Sequence, residues 1–222
     1  MAIAFDATSE GSGTTSPVTL SHTCTGSNLI LMVGITIYDA DPGSPDVVTG
    51  VTYNGVPMTQ IGKVAHTPDS EDYLYYLINP ATGANNISVS LSKTVSACVI
   101  RGASYTGVKQ SGQPDASNTG GPTATSLTTS VTTIADNCWL VGHCYNDSGG
   151  NASAGTGTTS RSSASQVIFI DSNGAKTPAG SYSLQTTSAS GTLVNIIASI
   201  SPVVTESSVV KPSSNLLLMG MG

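Results

Sequence analysis

Short apolar runs separated by Gly, Pro, Ser and Asn recur along the whole chain, and where polar residues alternate with them the period is two. Ile87, Val89 and Leu91 fall on one side of such a run and Ser88, Ser90 and Ser92 on the other, the pattern of a strand with one buried face. Asn79, Pro80 and Gly83 punctuate the chain just before it, so Tyr73 to Ile78 and Ile87 to Leu91 read as consecutive strands. The same reading places strands at Ala2 to Phe5, Val18 to Cys24, Leu29 to Tyr38, Val48 to Tyr53, Gln60 to Ala65 and Val95 to Tyr105. Further along it places them at Leu127 to Thr133, Cys138 to Tyr145, Ser165 to Asp171, Gly180 to Thr187 and Thr192 to Val204. Asn54-Gly55 is the strongest hairpin signal, because both central residues of a type I′ turn need positive φ. Ser9 to Ser16 and Asn146 to Thr159 read as loose segments. No long helical period occurs. The pattern predicts an all-β chain, an antiparallel β-sandwich of jelly-roll type with about a dozen strands.

A weak internal two-fold repeat underlies the pattern. Ile87-Ser88-Val89 falls on Tyr182-Ser183-Leu184, and Ala103-Ser104-Tyr105 falls on Ala198-Ser199-Ile200 under the same shift. Asn28 followed by Leu31-Met32-Val33-Gly34 resembles Asn137 followed by Trp139-Leu140-Val141-Gly142. The pseudo-repeats cover about 18–108 and 126–203, with the Gly-, Pro- and Ser-rich stretch 110–125 as the linker. Two Phe and one Trp in the whole chain leave each half few large side chains, which favours one sandwich over 1–205 rather than two tandem domains. Residues 206–222 form a tail or a final strand.

Two stretches suggest contact surfaces. Leu29 to Tyr38 is apolar on both faces, so one face must be covered by the opposite sheet and the other by this chain or by a neighbouring subunit. Leu29, Leu31, Val33 and Ile35 are therefore candidate assembly contacts. Leu216, Leu217, Leu218 and Met219 in the tail are the others, since a lone apolar tail frays unless something covers it. Deleting Asn215 to Gly222 is expected to leave the sandwich folded and weaken assembly; a final edge strand of the same sandwich is the competing reading.

Charge and composition narrow the function. A net charge of −6 and only 9% charged residues offer no basic surface for a phosphate backbone, which argues against nucleic-acid binding. No segment reaches the roughly 18 apolar residues of a membrane span, and MAIAFDATSEG has neither the basic nor the apolar region of a secretory signal. Cys24, Cys98, Cys138 and Cys144 lie far apart and read as buried free thiols, with disulfides as the alternative. Asp39, Asp41 and Asp46 share a loop that Asn146 and Asp147 match in the second half, yet the spacing is not that of an EF-hand and such residues are ordinary in turns. His22 with Cys24, and His143 beside Cys144, would bind zinc only if their strands met at one point. Neither a metal nor another cofactor is therefore assigned. No G-x-S-x-G elbow occurs among only three histidines, and Glu71 and Asp72, with Glu10 and Glu206, are the only carboxylates to nominate for catalysis. A non-enzymatic protein is expected.

The phrases VTYNGVPMTQIG (Val51 to Gly62), LYYLINPATGANNISVSL (Leu74 to Leu91), ASYTGVKQSGQPDAS (Ala103 to Ser117) and NCWLVG (Asn137 to Gly142) resemble those of β-sandwich virion structural proteins of tailed phages and of bacterial surface-protein sandwich modules. The resemblance covers Val18 to about Val203 and transfers no catalytic or binding residue. It implies a head-decoration, capsid or fibre component of a virion, made in the host cytoplasm and acting through homo-oligomers or contacts with other virion subunits. The alternative it implies is an extracellular surface or adhesin module that binds host-surface glycan.

Overall fold

The structure, a computed structural model, describes residues 1–38, 46–66, 70–147 and 150–204. Among these residues there is no helix, and seventeen strands form four antiparallel sheets. In the first half of the chain they are β1 (Ala4–Gly13), β2 (Val18–Cys24), β3 (Ile30–Tyr38), β4 (Val48–Tyr53), β5 (Val56–Pro57), β6 (Thr59–His66), β7 (Ser70–Ile78), β8 (Gly83–Leu91) and β9 (Ala97–Thr106). The second half supplies β10 (Ala116–Thr123), β11 (Ser126–Thr132), β12 (Trp139–Asp147), β13 (Ala152–Ala154), β14 (Thr159–Ser160), β15 (Val167–Asp171), β16 (Ser181–Ser188) and β17 (Thr192–Ile200). The expected dozen falls short mainly because β5, β13 and β14 are too brief to show a period, and β10 lies in the stretch read as a linker.

Each half builds one five-stranded sheet and one smaller sheet. The orders are β1-β9-β3-β7-β6 and β2-β8-β4-β5 in the first half, β10-β17-β12-β15-β14 and β11-β16-β13 in the second. In both halves the first strand pairs with the last and the second with the last but one: β1 with β9 and β2 with β8, then β10 with β17 and β11 with β16. Register agrees as well. Ile30 of β3 stands opposite Tyr105 of β9, and Trp139 of β12 stands opposite Ile200 of β17, so Trp139 corresponds to Ile30, as the match of Asn28 to Asn137 implies, and not to Leu31, one residue along. Asn28 and Asn137, just ahead of these central strands, both take positive φ.

Three apolar layers hold the four sheets together. Leu31, Val33, Ile35 and Ile37 of β3 pack with Val51, Tyr53, Ile87 and Val89 between the two sheets of the first half. Leu140, Cys144, Ile168 and Ile170 pack with Leu127, Val131 and Leu184 between those of the second. The third layer joins the two five-stranded sheets back to back, with Ile30, Met32, Leu74 and Tyr105 meeting Trp139, Val141, Phe169 and Ile196. This explains why β3 is apolar on both faces: its odd positions enter one layer and its even positions another.

Segments read as loose or as a linker contain strands, β13 within 146–159 among them. Ser9 to Gly13 form the second half of β1, an edge strand that pairs with β9 from Ala4 to Gly13. Its Ser, Thr and Gly composition hides it because an edge strand needs few apolar contacts. The stretch 110–125 contains β10, whose backbone pairs with β17 although none of its side chains is buried. By contrast Asn54 and Gly55 take φ of 49° and 76° between β4 and β5, the hairpin the sequence signals.

The back-to-back layer is tight at its centre. A Cβ added at Gly34 would lie 2.1 Å from Nδ1 of His143, whose ring is fully buried and also contacts Thr36 (2.9 Å) and Asp72 (3.2 Å) through Nε2. Gly34→Ala should therefore force the sheets apart and cost about 1–3 kcal/mol, read as a lower denaturant midpoint. An unchanged midpoint would mean that the layer yields without penalty.

Candidate functional site

Of the candidate contacts, Leu29, Leu31, Val33 and Ile35 are at most 2% exposed and lie in the first half's own core. Their role as subunit contacts is corrected: the opposite sheet of the same chain covers them, and the second sheet stack covers the other face of β3. Leu216, Leu217, Leu218 and Met219 lie outside the described residues, as do Asp39, Asp41 and Glu206.

The titratable residues are mostly committed to structural partners. Glu71 is held by Lys63 and by the Tyr73 hydroxyl, and Asp72 accepts from Thr36 at 2.5 Å beside His143. Adjacent in sequence, these two carboxylates point to opposite faces of β7 and share no site. Asp46 pairs with Lys63, while Asp147 approaches His66 at 3.2 Å, and the Asn146 amide donates to Gly150 and Ser190 carbonyls. Glu10 accepts from the Ser163 amide and faces Arg101, whose guanidinium also donates to the Val167 carbonyl and the Ser165 hydroxyl. That set ties β1 and β9 to the second half. All four cysteines are buried and free, and burial pushes the Cys98 and Cys144 thiols up to about 12, away from nucleophilic thiolate. Among the described residues no group of three His, Cys, Asp or Glu comes together to hold a metal ion.

One arrangement comes nearer to chemistry, and the sequence does not announce it. Across the β1–β2 hairpin, Ser9 Oγ lies 2.8 Å from Nδ1 of His22; Nε2 lies 3.0 Å from Ser104 Oγ, which donates to Asp6 at 2.7 Å. Serine, imidazole and carboxylate are thus linked, with an extra hydroxyl interposed. Burial pushes the imidazole down to about 4, so it is neutral at pH 7. What the set lacks is room. A Cβ on Gly102 would lie 2.8 Å from Ser9 Oγ and 3.2 Å from His22 Nδ1, so backbone already fills the space an acyl group would need. The chain of hydrogen bonds satisfies buried polar atoms at an open sandwich edge.

The feature shaped for a ligand or partner is an apolar cleft of about 720 Å³ at the end where β1 begins and β17 finishes. It is lined by Ile3 and Trp139, only 5% and 8% exposed, and by Pro202 and Val203. Trp139 is the only Trp of the chain and stands edge-on to Tyr105, 6.0 Å between ring centres. The turn Ala135-Asp136-Asn137, with Asn137 at φ 62°, places it at the mouth of β12. The two described chain ends meet here, the Met1 ammonium donating to the Val203 carbonyl at 3.2 Å. Among the described residues, two of the four exposed large apolar side chains line it, Met1 at 59% and Val204 at 75%, and a third, Ile134 at 71%, precedes the lining residue Ala135 in the chain. Such a concentration is unusual for scattered surface hydrophobes.

A second, polar depression of about 530 Å³ lies over β2, β4 and β8, lined by Thr19, Thr52, Asn54, Asn85, Asn86 and Ser88. No helix among the described residues is long and apolar enough to cross a membrane. No protein-family model, curated protein or solved structure matches the chain.

Proposed function

We propose that this protein is a non-enzymatic structural subunit that acts by assembly, as a head-decoration, capsid or fibre component of a tailed-phage virion, and that the apolar end around Trp139 is its contact surface. The observation that carries the assembly reading is the exposure of Met1 and Val204 in the apolar cleft, with exposed Ile134 next in the chain to its lining residue Ala135, because exposed apolar surface is what subunit contacts bury. The virion setting rests on the resemblance of sequence phrases alone. In the same reading the jelly-roll type expected of one sandwich over 1–205 belongs instead to each half, which has its own pair of sheets and core, and the chain carries two copies of it. Support comes from the first-with-last and second-with-penultimate pairing in both halves and from the matched registers at Ile30–Tyr105 and Trp139–Ile200.

Sedimentation of the full chain up to about millimolar concentration tests assembly. Regular closed oligomers are expected, and Ile134→Glu, a change at an exposed position that leaves the core intact, should shift them toward monomer. A second reading, a surface module that binds host glycan, is favoured by the amides and hydroxyls lining the polar depression. A protein that stays monomeric throughout and is retained on a glycan array would replace the first reading with the second.

A further inference from the structure

We infer that the two halves pair through like faces about an approximate two-fold axis, and that Gly34 and His143, which meet at that axis, make each face accept the unlike half and refuse its own kind. The inference rests on reading the chain as two copies of one sandwich and is independent of the assembly reading.

Register fixes which positions correspond. Gly34 stands opposite Leu74 and His143 opposite Phe169, while Met32 stands opposite Ala103 and Val141 opposite Ala198. Gly34 therefore matches His143. Met32, Leu74 and Tyr105 match Val141, Phe169 and Ile200, and all six lie in the layer between the halves. The same patch of each half is buried, which is what pairing about a two-fold axis requires. Strand contacts are reciprocal too: β9 meets β15, and their counterparts β17 and β7 meet each other. β6 packs on β10 and β17 besides, a contact that β14, its two-residue counterpart, is too short to return. A residue touches its own counterpart only on or beside such an axis, and Gly34 does so, since a Cβ there would lie 2.1 Å from His143 Nδ1.

At the axis the two faces are opposites, one bare and one filled. The imidazole occupies the space that glycine leaves and reaches Thr36 and Asp72 of the other half. Two Gly34 faces brought together would leave that space empty and the buried Asp72 without its imidazole. Two His143 faces would drive two rings into one space. Either mismatch carries the penalty of a void or of overpacking. Even among crowded subunits, the partner each face fits is the complementary half, which its own chain already supplies.

Exchanging the two residues in the full chain tests this by urea denaturation. Gly34→His sets two rings at the axis and should have a lower midpoint than wild type. Adding His143→Gly should raise that midpoint, although it is a second substitution at a buried site, because the ring now enters from the other side of the axis. The exchange variant should stay below wild type, since the counterparts of Thr36 and Asp72 are Tyr145 and Val167, which offer an imidazole no carboxylate. A midpoint at or below that of Gly34→His would overturn the pairing. Val141→Met with Met32→Val, a milder exchange across the same axis, carries the test where Gly34→His does not fold. It should lie above Val141→Met alone, and additive losses overturn the pairing. In a crystal structure of the Gly34→His, His143→Gly variant the introduced ring should lie against Tyr145 and Val167. Halves that superpose with that ring elsewhere overturn the axis and keep the two copies; halves that do not superpose overturn both.

Discussion

Replacing Arg161 by Met should destabilise the protein by about 3–5 kcal/mol and lower its thermal midpoint by roughly 6–20 °C. Asp171, at the end of β15, is fully buried, and its carboxylate accepts from Arg161 Nε at 2.6 Å and Nη2 at 3.1 Å, from the Tyr105 hydroxyl at 2.9 Å and from the Asn173 amide at 2.9 Å. The same guanidinium stacks 4.3 Å from the centre of the Phe5 ring. Phe5 and Tyr105 belong to the first half, Arg161 and Asp171 to the second, so one ion pair clamps the back-to-back sheets. Removing only the cation leaves a buried carboxylate with neutral donors, which costs far more than the pair contributes net. Adding Asp171→Asn to Arg161→Met removes that uncompensated charge and should recover part of the loss. If the single variant unfolds within about 1 kcal/mol of wild type, the carboxylate is not as dry as its burial indicates and the clamp is ordinary surface pairing.

Strand positions were legible wherever burial imposes a period. Val18–Cys24 and Val48–Tyr53 coincide with β2 and β4, because each has one face in a core and the other in water. The edge strands β1 and β10 were not legible, since backbone pairing to β9 and β17 holds them and backbone pairing leaves no side-chain pattern. The doubly apolar β3 signalled cover on both faces and left its source open: the same residues suit a subunit contact or a second sheet of the same chain, and only the three-dimensional stack decides between them. For the site, the apolar cleft was not legible. Trp139 passed as one more strand residue, because its partners Ile3 and Pro202 lie at opposite ends of the chain, and no local spacing could bring them together.

Stability should also fall as pH drops from about 6.5 to about 4 through His22, by up to ~3 kcal/mol over the whole window. Burial pushes this imidazole down to about 4, against the attraction of Asp6, whereas in the unfolded chain it titrates near 6.5. Between those values the unfolded chain takes up a proton that the folded protein refuses. The contribution is therefore complete above about 6.5 and lost progressively as pH approaches 4. The groups facing the ring do not titrate in that window. Burial raises the Asp6 carboxyl, but hydrogen bonds from Thr25 and Ser104 outweigh it and hold the group below the usual range, so it stays charged. Burial raises the Cys24 thiol and pushes the Tyr53 phenol up to about 12. His22→Gln keeps a side chain able to bond Ser9 and Ser104 and has no proton to gain. Measured by chemical denaturation at steps of pH, the difference in stability between wild type and variant should shrink by about 2–3 kcal/mol between pH 7 and pH 4.5. His66, His143 and the carboxylates are common to both proteins and cancel in that difference. Parallel stability curves would mean that the folded protein protonates His22 as readily as the unfolded chain does, and the dry, tightly packed Ser9–His22–Ser104 chain would then have to be open to water.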